Sequence, residues 1–404
     1  MLVGDKMIET KYMELLLKRC LCVEKDTPLF INYNKLNKDF VDRLVEYSKS
    51  LGITDIYLDE EDSEKVHDLL NEISLDEIEN HEMFNSKVWD EYAKKDAAFL
   101  MLDAEIPKLM DDIDSEKIAK AALTKRKTKP VYKERQLNSE IAWCIAALPN
   151  KFWAEEIFGD SENPIDDFWD ILADICMLNT ENPIASWNEF LEKQSQNMKK
   201  LNNLKIKKLH YKNSVGTDLE IELSENTIWQ SASSGKWIVN LPSYEIFTSP
   251  DYRKTNGVVY SSMPLIYNGK EIKDFYLEFK DGKVTNFDAK EGKDILKEII
   301  KGDELSDALG EVALVNYNSP ISNTKMVFKS TLLDENASCH LALGSGFLEC
   351  IKDAEKYSKD ELKEMGLNDS KNHVDFMIGS KDLLIEAETE NGKVTIMENG
   401  NLVI

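Results

Sequence analysis

Short apolar segments of strand length alternate with amphipathic segments of helical length through the first 200 residues of the chain. The apolar segments cover residues 28–33, 53–58, 97–103 and 141–148. Between the first two, Phe40, Val41, Leu44 and Val45 recur at the spacing of one helix face. Strands that are separated by helices form largely parallel sheets with helices packed against them. The pattern therefore predicts an α/β N-terminal domain, which we place over residues 1–205.

The second half of the chain shows strand patterns without that regular alternation. Apolar and polar residues alternate over 218–223, 237–241 and 275–279, and the turn Asp281-Gly282 follows as a hairpin signal. The spacing of apolar residues predicts helices over 291–301, 337–347 and 359–365. We therefore expect an α+β C-terminal domain with a largely antiparallel sheet over residues 206–404.

The charge balance excludes several classes of partner. Among 404 residues, 75 are acidic and 50 are basic, so the formal net charge is −25. Such a chain repels phosphate backbones and anionic lipids, so we expect no nucleic-acid partner and no membrane partner. No apolar run approaches the ~18–20 residues of a membrane-spanning helix. An acidic protein instead suits divalent metals, amines and basic peptides.

One basic stretch interrupts this acidic background. It runs from Lys117 to Arg135 and is flanked by acids. We interpret it as a solvated surface, and the alternative is a site for an anion or for the carboxyl terminus of a peptide.

The cysteines and the first residues of the chain indicate the cellular compartment in which the protein is expected. Six cysteines, none of them in a Cys-x-x-Cys pair, form no disulfide framework. The first six residues carry charges where a signal peptide needs an apolar core. We therefore expect a cytoplasmic protein with reduced thiols.

His373 lies in a segment that is typical of a strand. On a strand, His373 and Asp375 point to one face, while the apolar residues between and after them point to the other. An imidazole and a carboxylate side by side on a rigid strand make a good two-ligand platform for a metal ion. The alternative is a surface strand with a solvated polar face.

His340 lies in the predicted helix 337–347, among small residues. Glu335 precedes it closely, so that the two side chains together could hold one ion. The alternative is a helix start, in which Asp334 or Asn336 caps the first turn and Glu335 favours its positive end.

Two further acids lie beside predicted strands. Glu311 follows Gly310 and opens a predicted strand over 312–315, and Glu245 lies in a Pro-bounded loop over 240–251. Taken singly, either acid also fits an ordinary surface position. Spacing alone does not connect these places with the two histidines.

The same segments occur together in a known family. The motifs are GTDL at 216–219, NLPSYEIFTSPD at 240–251, NGVV at 256–259, LGEVALV at 309–315, SPIS at 319–322, TLLDENA at 331–337 with His340, and HVDFMIG at 373–379. In these motifs, over nearly all of 210–385, the chain resembles the thermophilic-type metallo-aminopeptidases of the M29 metallopeptidase family. The N-terminal half resembles the α/β domain of that family more loosely.

This resemblance implies a C-terminal catalytic domain that binds two divalent metal ions. Matched motif by motif, the implied ligands are Glu245, Glu311, Glu335, His340, His373 and Asp375. The four carboxylates among them would balance the charge of the two ions. Oxygen-rich ligation with only two histidines leaves Zn²⁺, Co²⁺, Mn²⁺ and Mg²⁺ open.

The resemblance also implies a reaction, the removal of the N-terminal residue of a peptide by water that the metal ions activate. Glu311 is expected to bridge the ions, and Glu335 to be a ligand that doubles as a proton shuttle. These two are therefore the candidate catalytic residues. The family further implies peptide substrates and a homodimer. The preferred N-terminal residue and the physiological metal stay open.

The chain departs from the family at one position near the implied reaction centre. Phe347 stands seven residues after His340, where the family typically has a tyrosine. If that hydroxyl stabilises the oxyanion, its loss would lower the rate by roughly 10²–10³, unless Tyr260 or Tyr244 replaces it. The alternative function is a catalytically weak or inactive relative that binds peptides or amines at the metal site. A further alternative is a structural protein that the ions only brace.

Overall fold

The computed structural model describes residues 3–267 and 270–404, with side chains from residue 7 onward. The prediction of a cytoplasmic location uses the first six residues of the chain. Two of them, Met1 and Leu2, lie outside the described residues. The chain forms two compact units, Met1–Trp187 with Gly235–Pro242, and Asn188–Ser234 with Ser243–Ile404. This division falls at 187/188, whereas the sequence pattern divides the chain at 205/206. The domains 1–205 and 206–404 stay a prediction.

Strands and helices account for most of the described residues. The strands are β1 (Leu29–Asn34), β2 (Ile56–Glu61), β3 (Ala98–Asp103), β4 (Trp143–Ala147), β5 (Lys208–Lys212), β6 (Asp218–Glu222), β7 (Gln230–Ser231), β8 (Asn240–Leu241), β9 (Ile246–Thr248), β10 (Thr255–Tyr260), β11 (Leu265–Tyr267), β12 (Lys270–Lys280), β13 (Lys283–Glu291), β14 (Leu309–Leu314), β15 (His340–Gly344), β16 (His373–Met377), β17 (Leu384–Thr389), β18 (Gly392–Glu398) and β19 (Asn401–Leu402). The α-helices are α1 (Val3–Glu14), α2 (Lys38–Ser50), α3 (Ser63–Glu72), α4 (Leu75–Ile78), α5 (Lys87–Ala93), α6 (Ser115–Lys127), α7 (Pro130–Leu137), α8 (Lys151–Phe158), α9 (Pro164–Ile175), α10 (Pro183–Leu204), α11 (Lys293–Ile300), α12 (Pro320–Thr324), α13 (Thr331–Asp334) and α14 (Lys359–Glu364). No helix within the described ranges is both long enough and apolar enough to cross a membrane.

The first unit contains a five-stranded parallel sheet in the order β2-β1-β3-β4-β8. An aromatic cluster that includes Phe30, Trp89, Phe99 and Tyr132 forms part of its core. The predicted α/β layer with a parallel sheet is confirmed. The predicted strand 237–241 is largely wrong, because only its last two residues form a strand, β8, and they pair with β4 of the parallel sheet.

The second unit contains two antiparallel sheets, as the sequence pattern predicts. The larger has nine strands, with the path β11-β12-β10-β6-β5-β17-β18-β19 and β13 paired with β12. The turn between β12 and β13 is the predicted Asp281-Gly282 hairpin. The smaller sheet has five strands in the order β16-β15-β14-β9-β7. A large apolar cluster, which includes Tyr211, Phe275, Leu341 and Phe376, draws on both sheets.

The predicted helix 337–347 is wrong. A 3₁₀ turn, Glu335–Ala337, ends before the strand β15 begins at His340. All five residues of β15 are buried, and the strand pairs with β14 on one side and with β16 on the other. Pairing with two neighbours overrides the local preference of a short apolar run, which fits a helix or a buried strand equally well. The other two predicted helices are confirmed as α11 and α14.

Candidate metal centre

Five of the six implied ligands project from one face of the smaller antiparallel sheet. They are Glu245, just before β9, Glu311 on β14, His340 on β15, and His373 and Asp375 on β16. The strand register explains the shared face, since Glu311 lies opposite Ala342, and Ala342 lies opposite Asp375. Phe247, two residues after Glu245, lies opposite Ala313, which is two residues after Glu311. Glu245 therefore shares the face of Glu311. Residues that are opposite each other, or two apart on one strand, share a face of the sheet.

A β-bulge directs the side chain of Glu311. The register between β14 and β15 shifts by one residue at Gly310. Glycine is required there, because a Cβ atom at position 310 would overlap with the carbonyl oxygens of Gly344 and Ser345. Bulges of this kind re-aim side chains next to active sites. Glu311 therefore lies inside a strand, and not at the opening of one over 312–315 as the sequence predicts.

The five side chains form two overlapping groups with the geometry of metal ligands. One nitrogen or oxygen atom from each of Glu245, Glu311 and His340 lies within 4.8 Å of the others. The same holds for Glu311, His373 and Asp375. Within the groups, Nε2 of His340 lies 3.1 Å from Oε2 of Glu245, and Nε2 of His373 lies 3.1 Å from Oε2 of Glu311. Glu311 is shared by both groups.

Backbone carbonyl groups fix the orientation of both imidazoles. Nδ1 of His340 lies 3.1 Å from the carbonyl oxygen of Ser338, and Nδ1 of His373 lies 2.7 Å from that of Ser345. Each Nδ1 therefore donates to the main chain, and each Nε2 is directed at the carboxylates. Histidine ligands of metal ions are held in this way in proteins, because a hydrogen bond at one nitrogen orients the other toward the ion.

Burial and mutual repulsion shift the pKa values of the acids. Burial raises the pKa of Glu311, although a hydrogen bond with His373 opposes the shift. Burial also raises the pKa of Glu335, and the negative charges of Asp375 and Glu245 raise it further. At Asp375, burial acts in the same direction, but the charge of His373 outweighs it and lowers the pKa. The acids thus share a site in which not all of them ionise readily without a cation.

The histidines respond in the opposite sense. Burial disfavours a charged imidazole at His340, but the hydrogen bond and charge of Glu245 outweigh it and raise the pKa. At His373, burial is likewise outweighed by Asp375 and Glu311, so that its pKa is raised as well. The net charge of the cluster therefore favours any cation that enters, a proton or a metal ion.

Glu335, the sixth implied ligand, lies beside the two groups. It is 9% exposed and belongs to the 3₁₀ turn Glu335–Ala337. Among the described residues, it is not a member of either three-residue group. The charges of Asp375 and Glu245 nevertheless act on its carboxyl group. The structure therefore brings five implied ligands together and leaves Glu335 next to them.

One buried oxygen atom of the cluster tests whether a metal ion fits. Oδ1 of Asp375 is buried and makes no hydrogen bond with the described residues, although it lies 3.2 Å from Nε2 of His373. A buried carboxylate oxygen without a hydrogen bond needs a partner. The donor set of carboxylate oxygens and two imidazole nitrogens suits Zn²⁺, Co²⁺ or Mn²⁺, and the oxygens also suit Mg²⁺. The residues present fit a divalent metal site.

Comparison with known proteins identifies the family. The family model described as thermophilic metalloprotease (M29) matches residues 6–402. The chain belongs to the M29 metalloprotease family. It is therefore a peptidase of a metal-dependent class, and the resemblance in the sequence motifs is confirmed.

Relatives of this M29 chain include several proteins that are named aminopeptidases. Aminopeptidase 2 of Geobacillus stearothermophilus is 34% identical over 399 residues, which are 97% of this chain and 96% of that protein. Aminopeptidase AmpS of Bacillus subtilis (strain 168) is 35% identical over 399 residues, with 96% of this chain and 97% of that protein covered. Among solved structures, wild-type AmpT from Thermus thermophilus matches with a TM-score of 0.89 and 26% identity over 100% of both chains.

Phe347, at the position where the resemblance implies a tyrosine, lies against one of the implied ligands. Its ring centroid is 4.8 Å from that of His373 and 5.3 Å from that of Phe247. Of the two tyrosines considered as replacements, Tyr260 packs against Tyr276 with ring centroids 5.5 Å apart. The ring of Phe347 therefore lies next to His373, one of the implied ligands.

Four of the eight basic residues in the basic stretch of this M29 chain form ion pairs. Lys120 and Lys127 pair with Glu79, Lys125 pairs with Glu61, and Arg135 pairs with Asp96. Lys117 donates to the carbonyl oxygen of Leu70. These contacts favour the interpretation of the stretch as a charged surface.

Sequence reasoning missed the residues that support the ligands. The carbonyl groups of Ser338 and Ser345 anchor the two imidazoles, and Asn336 and Gln194 bind the main chain next to Glu245. No sequence pattern marks a backbone carbonyl as a histidine partner. Asn336 could have been found, because it lies inside the DENA motif, although the sequence alone favours a helix-capping role for it.

Proposed function

We propose that the protein is a dinuclear metal-dependent aminopeptidase, which removes N-terminal amino acids from peptides. The single observation that carries this proposal is the pair of three-residue groups that share Glu311. Two adjacent sites with one common carboxylate are the arrangement that a pair of bridged ions requires. Membership of the M29 family and the names of the relatives support the same conclusion.

In this proposal, the chain divides the ligands between two ions. Glu245, Glu311 and His340 would hold one ion, and Glu311, His373 and Asp375 would hold the other. Two bound ions of this kind polarise a carbonyl group and lower the pKa of water. The chain's own residues orient the donors, since the strands and the anchored imidazoles hold them on one face.

We assign the second catalytic role to Glu335. It lies outside both three-residue groups but within reach of their charge. A carboxylate that is not needed to complete either group is free to take a proton from water and return it to the leaving amine. It also remains the sixth candidate ligand, and both roles need the buried position that it has.

The remaining expectations extend this proposal. The substrates are peptides with a free N-terminus, and the metal is Zn²⁺, Co²⁺, Mn²⁺ or Mg²⁺. The protein forms a homodimer and acts in the cytoplasm. The reduced state of its thiols agrees with the six cysteines, which are all free in the structure.

Metal removal and replacement test the proposal. The full chain is stripped with a chelator and assayed on aminoacyl-p-nitroanilides before and after each of the four metals is added back. We expect hydrolysis that depends on metal and that is absent for N-acetylated substrates. Glu311→Gln should abolish the response. Hydrolysis that does not require metal, or an unaffected Glu311→Gln variant, would overturn the enzyme assignment.

Phe347 favours a second candidate, a catalytically weak or inactive relative that binds peptides or amines at the metal site. The ring packs on His373 without offering a hydroxyl group. Metal-dependent binding of a peptide, with no turnover even after extended incubation, would favour this function over the first.

A further inference from the structure

Asn336 links two of the implied ligands. Its Oδ1 accepts a hydrogen bond from the backbone N–H of Tyr244 at 2.7 Å, and its Nδ2 donates to the carbonyl oxygen of Leu332 at 3.0 Å. The same Nδ2 lies 3.4 Å from Oε1 of Glu335. The side chain is fully buried, with 0% exposure. Asn336 therefore contacts both the main chain before Glu245 and the carboxylate of Glu335.

Gln194 holds the main chain on the other side of Glu245. Its Nε2 donates to the carbonyl oxygen of Glu245 at 2.8 Å. The residue lies on α10 and is 4% exposed. Two buried amide side chains therefore hold the backbone at the N–H of Tyr244, one residue before Glu245, and at the carbonyl group of Glu245 itself.

Glu245 needs such support more than the other ligands of its group. Glu311 and His340 lie within strands, where ladder hydrogen bonds hold the backbone, whereas Glu245 precedes β9. Converging carboxylates repel one another until a cation arrives. The ligand outside a strand is the one that this repulsion can displace. Holding its backbone in the bound position reduces the reorganisation that ion binding would otherwise require.

We propose that Asn336 and Gln194 are positioning residues for one half of the metal centre, the half formed by Glu245, Glu311 and His340. They set the affinity of the ion in that half and leave the ion held by His373 and Asp375 unaffected. This inference rests on the proposed dinuclear function. It assigns neither residue a contact with metal or substrate.

Metal titration of the metal-free full chain tests the inference without an activity assay. Zn²⁺ is titrated in competition with a chelator of known affinity, for the wild type and for Asn336→Ala and Gln194→Met. Loss of an outer-sphere support typically weakens metal binding by about 10–100-fold. We expect a loss of that size for one of two ions. The affected ion should be the one that Glu245→Gln abolishes, and not the one that Asp375→Asn abolishes.

Two further variants separate positioning from a general loss of stability. Asn336→Gln keeps an amide acceptor for the Tyr244 N–H and an amide donor, and should retain more affinity than Asn336→Ala. Asn202→Ala is the matched control, because Asn202 makes the same pair of backbone hydrogen bonds, with the N–H and carbonyl of Trp229, at 2.8 and 3.0 Å. It should bind both ions as the wild type does.

The outcomes distinguish this inference from the function on which it rests. Equal weakening of both ions, or no weakening of either, would overturn the positioning role. A wild-type chain that binds a single ion would overturn the dinuclear function. In that case, the positioning role holds only if the Asn336 and Gln194 variants weaken that ion and the Asn202 variant does not.

Discussion

Two central strands, one in each unit, bury very different residues. β3 of the parallel sheet has the sequence AFLMLD, in which four apolar residues are buried, while Met101 and the terminal Asp103 are half-buried. β14 of the smaller antiparallel sheet has the sequence LGEVAL, and all six of its residues are buried, Glu311 included. Both strands have neighbours on either side. The two strands have similar neighbours in their sheets. The difference in their buried residues therefore reflects the different roles of the two strands.

The contrast extends to the acids of the parallel sheet. Asp59 and Glu61 lie at the carboxyl end of β2, where Asp59 accepts from Trp89 at 3.0 Å and Glu61 pairs with Lys125 at 2.9 Å. The acids of the metal centre face one another instead. Burying an unpaired charge is strongly unfavourable. The comparison teaches that the acids of the first sheet have neutral or cationic partners, whereas the acids of the second converge in a way that suits the proposed cation site.

The largest effect should follow from removing the shared acid. Glu311→Gln should lower the aminopeptidase rate by roughly 10⁴-fold, the scale at which loss of a central catalytic group is felt. The metal-free protein should become more stable, because the variant removes one of several buried, mutually repelling carboxylates. Steady-state kinetics and thermal unfolding without metal measure the two effects. Glu278→Gln, at an exposed acid of β12, is the control. A less stable Glu311→Gln protein would contradict the view that the buried acids destabilise the metal-free sheet.

In the parallel sheet, a substitution in the core should lower stability and leave metal affinity unchanged. Phe99 is fully buried, and its ring lies 4.6 Å from that of Tyr132 and 5.0 Å from that of Phe30. Phe99→Ala should lower the free energy of unfolding by about 3–4 kcal/mol, because it leaves a cavity. Metal affinity below the unfolding transition should not change. Denaturant unfolding and metal titration measure these quantities, and a loss of metal affinity in the folded variant would show that the two roles are not separable.

A smaller effect on the rate is expected at Phe347, the position where the resemblance implies a tyrosine. Phe347→Tyr should raise the rate constant kcat by roughly 10²-fold if the family hydroxyl stabilises the oxyanion, since this is the usual scale for one such donor. KM should change little. Kinetics on a single aminoacyl-p-nitroanilide measure both parameters. Phe247→Tyr, at the neighbouring ring, is the control, and an equal gain there would point to an effect of polarity alone.

The smallest effect concerns Lys129, a lysine of the first unit that lies over an aromatic ring. Nζ of Lys129 lies 3.5 Å from the ring centroid of Trp89. Burial lowers the pKa of Lys129 to about 8, and the charge of Lys125 adds to this shift. The folded state therefore binds fewer protons than the unfolded state between pH 8 and the usual lysine pKa of about 10.4. Stability contributed by this group should rise with pH across that window.

The comparison of wild type with Lys129→Met isolates this group. Relative to the variant, the wild type should gain about 1–2 kcal/mol in free energy of unfolding between pH 7.5 and 10.5. Denaturant unfolding at the two pH values gives the difference. Lys94→Met, at an exposed lysine of the same unit, is the control for loss of a lysine. A difference that stays constant or falls with pH would contradict the lowered pKa of Lys129.

The parallel sheet was predictable because its signal is repeated several times along the chain. Each apolar segment is followed by an amphipathic one, and errors in any single boundary do not change the fold class. β15 was not predictable in this way. Its five residues are buried on both faces, so the strand has no alternation, and only its pairing with β14 and β16 separates it from a helix.

The candidate site was predictable to the level of residue identity and not to the level of geometry. The motifs name Glu311 and His340, but they do not reveal the bulge at Gly310 or the carbonyl group that holds each imidazole. The sequence predicts a loop at Glu245, but it does not predict the strand β9, which begins one residue later. Such features arise from contacts between segments that are distant in sequence. A pattern within one segment does not contain them.

The bulge at Gly310 makes the length of β14 as important as its sequence. Side chains alternate between the two faces of a strand, so one residue more or less moves every later side chain to the opposite face. A single-residue deletion at Gly310 would either turn Glu311 into the apolar cluster or shift the pairing of the whole strand. Conservative substitutions at the apolar positions of β14 can therefore be tolerated, whereas insertions and deletions cannot. Among descendants of this gene, the spacing between Glu311 and His340 should vary only in the connection after Leu314.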